Sequence, residues 1–429
     1  MAQSIAQQLE SRIRQHRLLD FPVTWADELI FPYYDGLSLP NIAHSIASAL
    51  GYPMAHHTPL LDDVWQGDVP QAKRVVTFLM DGMGYKHLNM LMAEDAELRD
   101  AIAELNGGRE IVPLTSVAPS TTAVALTSTW TGVSPATTGM TGTVMFLREL
   151  SLMADMLSFR PITGHHLPGS VGFWGMPPEK IVTAKNLNQH LSEQGIATHT
   201  ITNKSYVGNG LSRILHQGVQ NIVTHLAKDD FLPQVESVLK NTQGTHSHVS
   251  IYWSAVDTLA HHYGAHHDYT NAEIRRKILA LRDLVREPYF ADGETLLLLF
   301  ADHGHYDSTQ PVMVAHDDTV RTAMTMSLAG DERHAYLYVS PSSIPTIKDY
   351  IQENYAETLT AIESEIALQL GYFGDNPHEA LLSRIGNLIL IPRLGHILSD
   401  PVKGTLPMIS RHAGLSDWEM LVPFIWRLS

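Results

Sequence analysis

The sequence predicts an α/β fold built on a mostly parallel central sheet flanked by helices. Three observations predict it. Continuous apolar runs of strand type stand at 74–80, 248–253 and 294–300, as strands buried on both faces require. Helical segments separate these runs, and parallel strands need such crossovers. Each run leads directly, or within one helical turn, to residues of ligand type: Asp81-Gly82, Asp257 with His261, and Asp302-His303. The carboxyl edge of an open α/β sheet is where such folds keep their ligands.

Taken in order, residues 1–22 read as an amphipathic helix and 39–50 as a second, together an N-terminal extension of the fold. The strand at 74–80 ends in Asp81-Gly82-Met83-Gly84, where glycine permits a close turn. A helix follows at 85–92, then a polar helix at 92–105 and a Gly107-Gly108 turn. Residues 115–142, TSVAPSTTAVALTSTWTGVSPATTGMTG, run from a short β-like segment into Ser120-Thr121-Thr122 and a small-residue helix ended by Gly132. Hydroxyls at a helix start sit beside unpaired N–H groups and the positive end of the macrodipole, which suits a phosphate. They are equally the residues that cap ordinary helices.

Residues 146–190 are punctuated by Gly and Pro and read as surface-covering structure; His165-His166 reads as a loop pair. A helix is expected at 186–195 and a strand at 197–202. After the strand at 248–253, Asp257 and His261 are four residues apart. On a helical turn they share a face and suit one metal ion; His262, His266 and His267 are alternatives. A charged amphipathic helix occupies 270–285, and the strand at 294–300 ends in Asp302-His303-Gly304-His305. Residues 312–409 read as a helix-rich insertion, a cap on one domain spanning 1–429, with helices at 344–353 and 357–371 and strands at 334–339 and 387–392. His412 stands in a polar loop before a closing strand at 420–426.

Composition narrows the chemistry. The chain carries 45 acidic against 29 basic residues, which argues against a nucleic-acid duplex as partner. Small anionic substrates stay open, because bound cations invert a local field. Cysteine is absent, so disulfides, thiolate catalysis and Cys-type zinc sites are excluded. The N-terminus lacks the apolar core of a signal peptide and no apolar run is long enough to span a membrane, so the expected location is cytoplasmic, with no membrane partner. With 24 histidines, a metal site must draw on His, Asp and Glu.

Asp81, a hydroxyl from 120–122, Asp257, His261, Asp302, His303 and His412 thus gather at strand ends. Such a set exceeds one tetrahedral ion and suits two, roughly 4 Å apart in typical two-metal sites. The order strand–Asp-Gly, Pro-Ser-x-Thr with a downstream Thr-Gly, Asp-x-x-x-His, Asp-His-Gly and a late His resembles the alkaline phosphatase superfamily. More narrowly, it resembles the type I phosphodiesterase/nucleotide pyrophosphatase family over residues 74–426.

The resemblance implies an alkaline-phosphatase-like fold and a two-metal hydrolase of phosphodiester or nucleotide pyrophosphate bonds, acting on a small phosphorylated substrate. It implies Thr122 as nucleophile, Asp257, His261 and His412 as ligands of one ion, and Asp81, Asp302 and His303 as ligands of the other, which also holds the Thr122 oxygen. Two divalent ions are expected, zinc first and manganese as the alternative. Thr143 falls where diesterases of the family carry an Asn that contacts a phosphate oxygen, and Ala413 falls where their last motif carries Gly. The same scaffold resembles phosphomonoesterases, phosphonoacetate hydrolases and phosphoglycerate mutases, while the sulfatase motif is absent. A non-catalytic metal-binding relic is the alternative outside enzymes.

Overall fold

A computed structural model describes residues 3–429 except 19, 20, 22, 24, 56, 57, 68, 228 and 401–406. Its centre is a seven-stranded sheet. Arg74–Met80 lies in the middle, paired in parallel with Ser247–Trp253 on one side and Thr295–Phe300 on the other. Ala197–Asn203 and Asn221–His225 extend it in parallel beyond Ser247–Trp253. On the far side Leu421–Leu428 runs antiparallel between Thr295–Phe300 and Val112–Thr115. Every residue of Arg74–Met80 and Thr295–Phe300 is buried, as continuous apolar runs between helical layers should be.

The register aligns the strand ends. Met80 sits opposite Trp253, and Leu79 opposite Phe300. Asp81, the helix carrying Asp257, and Asp302 therefore emerge at one edge. That helix is Ala255–Tyr263, and Asp268–Val285 follows it.

A second seven-stranded sheet is antiparallel throughout. Leu359–Glu363, Leu388–Pro392, His334–Leu337 and Ala329–Asp331 come from the 312–409 segment. Val144–Leu147, Leu152–Asp155 and Arg160–Pro161 complete it. Residues 146–190, expected as irregular covering structure, thus contribute strands. These are short and half-buried; they pair with one another in sequence, and only Val144 has a distant partner, Gly330. The segment 357–371, expected as one helix, is the strand Leu359–Glu363 followed by the helix Ser364–Gln369. The polar helix expected at 92–105 begins at Ala96, because the Asp95 side chain accepts from Leu98 N and starts a new helix there. The N-terminal helix is Ile5–Gln15, opened by a capping box from Ser4 and Gln7; part of the remainder of 1–22 lies outside the described residues. No helix among the described residues is long and apolar enough to cross a membrane.

Candidate active site

The helix after Val112–Thr115 is Thr122–Thr131, closed by Gly132 in the left-handed region at φ 71°. Thr121 is its N-cap residue, yet no side chain caps the helix. The three adjacent hydroxyls have other partners. Ser120 Oγ donates to the Gly414 carbonyl at 2.7 Å, and Thr121 Oγ1 donates to Asp331 Oδ1 at 3.3 Å. Thr122 Oγ1 lies 3.1 Å from His303 Nε2, on a residue that is only partly buried. Of the capping or supporting roles expected for Ser120 and Thr121, the contacts are supporting ones that fix the loops around Thr122, and neither side chain caps the helix.

Seven expected site residues converge at the sheet edge. Asp257 Oδ1 lies 3.2 Å from His261 Nε2 and 3.6 Å from His412 Nε2. His303 Nε2 lies 3.3 Å from Asp81 Oδ1 and 3.5 Å from Asp302 Oδ2. An ion with tetrahedral bonds of about 2.0–2.1 Å imposes a ligand–ligand spacing of roughly 3.3 Å, and all four distances cluster around it. The other ring nitrogens are anchored: His261 Nδ1 to the Ser410 carbonyl at 2.8 Å, His412 Nδ1 to the Ser120 carbonyl at 3.2 Å, and His303 Nδ1 to the Gly304 carbonyl at 3.2 Å. A carbonyl can only accept, so each ring carries a proton on Nδ1 and, when neutral, aims the Nε2 lone pair inward, as metal-binding histidines do. The His303 and His412 rings stack with centroids 3.8 Å apart, so the two donor sets adjoin.

Electrostatics supports a cation here. Asp81, Asp257 and Asp302 gather at this edge, and among the described residues neither Lys nor Arg pairs with them. Burial, then the facing Asp302 and Asp257, push Asp81 well above the ordinary carboxyl value. Burial also raises Asp302, against the pull of His303. Asp257 is held well below its ordinary value: burial opposes ionisation, but His261 and His305 outweigh it. Asp81 Oδ1 and Asp302 Oδ2 are buried without a hydrogen-bond partner. Unpartnered carboxylate oxygens facing inward lone pairs fit divalent cations.

Two further residues shape the cluster without having been assigned a role from sequence. His305 Nε2 lies 2.8 Å from Asp257 Oδ1, while its Nδ1 is 3.0 Å from Ser410 Oγ. That shorter spacing is a hydrogen bond holding the carboxylate, although His305 also lies within 4.8 Å of the donor atoms of Asp257, His261 and His412. Tyr252 donates to Asp81 Oδ2 from the neighbouring strand. His305 stands in plain view beside Asp302-His303, but only the sheet register reveals what it meets. The alternative ligands fall elsewhere: His262 and His267 are exposed, His267 capping a helix through Tyr269 N, and His266 packs on His87 and Trp418. His165 is exposed and His166 packs on Trp174.

Thr143 is near the nucleophile candidate but engaged. Its hydroxyl is 3.1 Å from Thr121 Oγ1, and its backbone N–H donates to Asp331 Oδ2 at 3.1 Å. The His412 loop is held by a fully buried ion pair, Arg333 with Glu419, at 2.7 Å. Glu419 also accepts from Gly414 N at 2.9 Å and Ser416 Oγ at 2.7 Å. Gly304 donates to the Glu419 carbonyl at 2.8 Å, and a Cβ there would meet the Trp418 carbonyl at 2.0 Å. Ala413 adopts φ 87°, a left-handed conformation that favours glycine. Thr122 and Asp257 border two cavities, of ≈ 210 Å³ and ≈ 450 Å³.

The mostly parallel central sheet flanked by helices is a mixed α/β fold of the alkaline phosphatase superfamily. A family model for type I phosphodiesterase/nucleotide pyrophosphatase matches residues 75–414. The chain belongs to that family, and is a phosphoester hydrolase by class. Solved structures share the fold at low identity. Murine ectonucleotide pyrophosphatase/phosphodiesterase 5 is 14% identical with a TM-score of 0.61, covering 82% of this chain and 87% of that one. An inactive form of the murine protein in complex with AMP is 13% identical with a TM-score of 0.59, at the same coverage. Phosphonoacetate hydrolase from Sinorhizobium meliloti 1021, in complex with phosphonoformate, is 16% identical with a TM-score of 0.59, covering 83% of this chain and 90% of that one. No curated protein matches the chain by sequence.

Proposed function

We propose that the chain hydrolyses phosphodiester or nucleotide pyrophosphate bonds through a phospho-threonine intermediate on Thr122, with two divalent ions, zinc before manganese. The observation that carries this is the half-buried Thr122 hydroxyl, 3.1 Å from His303 Nε2 and bordered by two adjoining donor sets. Asp257, His261 and His412 would hold one ion; Asp81, Asp302 and His303 would hold the other. When bound, such ions stabilise developing negative charge and lower the pKa of hydroxyl groups beside them.

The chain's own residues do the rest. Thr122 Oγ1 gives its proton to solvent water and attacks phosphorus, and the P–O bond to the leaving alkoxide or phosphate breaks, that group being charge-neutralised by a proton from water. Water then attacks the same phosphorus and the Thr122 oxygen leaves. Ser120, through the Gly414 carbonyl, and Thr121, through Asp331, hold the backbone that presents the nucleophile. His305 and Tyr252 orient Asp257 and Asp81. Binding of AMP by an inactive form of a fold neighbour supports a nucleotide-like substrate.

Thr122→Ala, assayed with zinc against bis-p-nitrophenyl phosphate and p-nitrophenyl phosphate, tests the reading. The expected loss is about a thousandfold or more on the preferred substrate, with the diester preferred in wild type. Unchanged turnover by the variant would remove Thr122 from the chemistry. Preference for the monoester would favour the phosphomonoesterase alternative.

A further inference from the structure

The two cavities beside Thr122 differ in chemistry. The larger carries Asp155, Asp331, Glu332 and Asp400 together with Arg411, whose guanidinium pairs with Glu332. The smaller is walled by Leu126 and Trp130, which follow Thr122 on the same helix, and by Leu79, Leu211 and Leu215. Its polar groups are mostly hydroxyls, with the amides of Asn188 and Asn209, and two pairs of hydroxyls satisfy each other: Thr200 Oγ1 lies 2.6 Å from Ser250 Oγ, and the Tyr206 hydroxyl 2.8 Å from Ser254 Oγ.

Among the described residues, no Lys or Arg lines the smaller cavity, and its only carboxylates, Asp81 and Asp257, belong to the donor sets. His216 is its only histidine, and burial draws that ring down to about 4, so it is neutral near pH 7. A carboxylate or second phosphate entering here would lose its water and find no counter-charge. Size sets a second limit. An apolar cavity of about 150 Å³ holds benzene, so ≈ 210 Å³ holds one substituted ring or a short alkyl chain. A nucleoside, with base and sugar rings together, exceeds it.

We infer that this cavity receives the organic group of the substrate ester, and that this group is uncharged and no larger than a single ring or short alkyl chain. The inference rests on the hydrolase reading above and takes its phosphodiester branch, setting against the nucleotide branch, to which the AMP complex of the fold neighbour points, the size and lining of this cavity.

Inhibition of bis-p-nitrophenyl phosphate hydrolysis by product-like monoesters tests it, because these compounds share a phosphate and differ in the organic group. Phenyl phosphate is expected to inhibit about tenfold or more tightly than 3-carboxyphenyl phosphate or thymidine 5′-phosphate. Two variants localise the effect. Leu157 lies at the rim that the two cavities share and is 41% exposed, so Leu157→Arg should fold normally and narrow the gap between the phenyl and carboxyphenyl compounds, while Ser212 lines the smaller cavity alone. Ser212→Trp, filling the cavity, should weaken phenyl phosphate while leaving inhibition by inorganic phosphate unchanged. Equal or tighter binding of the carboxylated or nucleoside compound would overturn the inference and leave the hydrolase reading standing. So would unaltered selectivity in a folded Leu157→Arg protein. Absence of diester hydrolysis in the zinc-loaded wild type would instead overturn the hydrolase reading, and the inference with it.

Discussion

Removing divalent ions should destabilise this protein by an amount that can be worked out in advance. Asp81, Asp257 and Asp302 are clustered at one sheet edge, and two of their oxygens, Asp81 Oδ1 and Asp302 Oδ2, have no hydrogen-bond partner. An ion bound only by the folded state, at free concentration about 100 times its dissociation constant, adds about 2.7 kcal/mol, so two ions add about 5 kcal/mol. With an unfolding entropy near 2.1 cal/mol/K per residue, 429 residues give about 0.9 kcal/mol/K, and the melting temperature should rise about 6 °C on loading. Calorimetry of chelator-stripped protein, before and after zinc is restored, measures it. Asp302→Asn, which impairs one donor set, should retain about half the rise. Identical melting of stripped and zinc-loaded wild type would refute the metal assignment, as would a full rise in Asp302→Asn.

Three further outcomes probe the frame around the site. Glu419→Gln leaves Arg333 charged and buried and should cost about 3–5 kcal/mol in urea unfolding; a loss below about 1 kcal/mol would show that the pair does not anchor the His412 loop. Ala413→Gly relieves a left-handed alanine at φ 87° and should stabilise by about 1 kcal/mol with activity retained; destabilisation would contradict that backbone assignment. His334 is buried against the Tyr372 hydroxyl, and burial draws its pKa from 6.5 to about 3. The unfolded chain therefore binds the extra proton below pH 6.5, so stability falls as pH drops, by about 1.4 kcal/mol per pH unit from this group. His334→Gln should lose about 2 kcal/mol less than wild type between pH 7 and pH 5, and an unchanged pH slope would count against a neutral buried imidazole.

The central strands were legible because both of their faces are buried and their apolar runs are uninterrupted, from Arg74 to Met80 and from Thr295 to Phe300. Asp81, Asp257, Asp302 and His303 were legible as candidates because they follow apolar strands at their carboxyl ends, whereas His412 follows only the two-residue strand Ser410–Arg411 and was picked out by the order of motifs. What escaped was specified by distant partners. Asn221–His225 is a partly exposed edge strand whose only apolar residues are Ile222 and Val223, too short a run to read. The strands between Val144 and Pro161 are short and acquire their order only by pairing with Ala329–Asp331 and one another. His305 and Tyr252 act across strands, on Asp257 and Asp81, so their use is a property of the register. The hydroxyls at 120–122 look like caps locally, and only the loop carrying Gly414 and the strand carrying Asp331 give Ser120 and Thr121 their partners.

The most direct measurement concerns Thr122 itself. Zinc-loaded protein mixed with a diester substrate, quenched in acid within the first turnover and digested, should yield a phosphoryl adduct on the peptide containing Thr122. Thr122→Ala should yield none. An adduct on a different residue, or turnover in Thr122→Ala at the wild-type rate, would contradict the account.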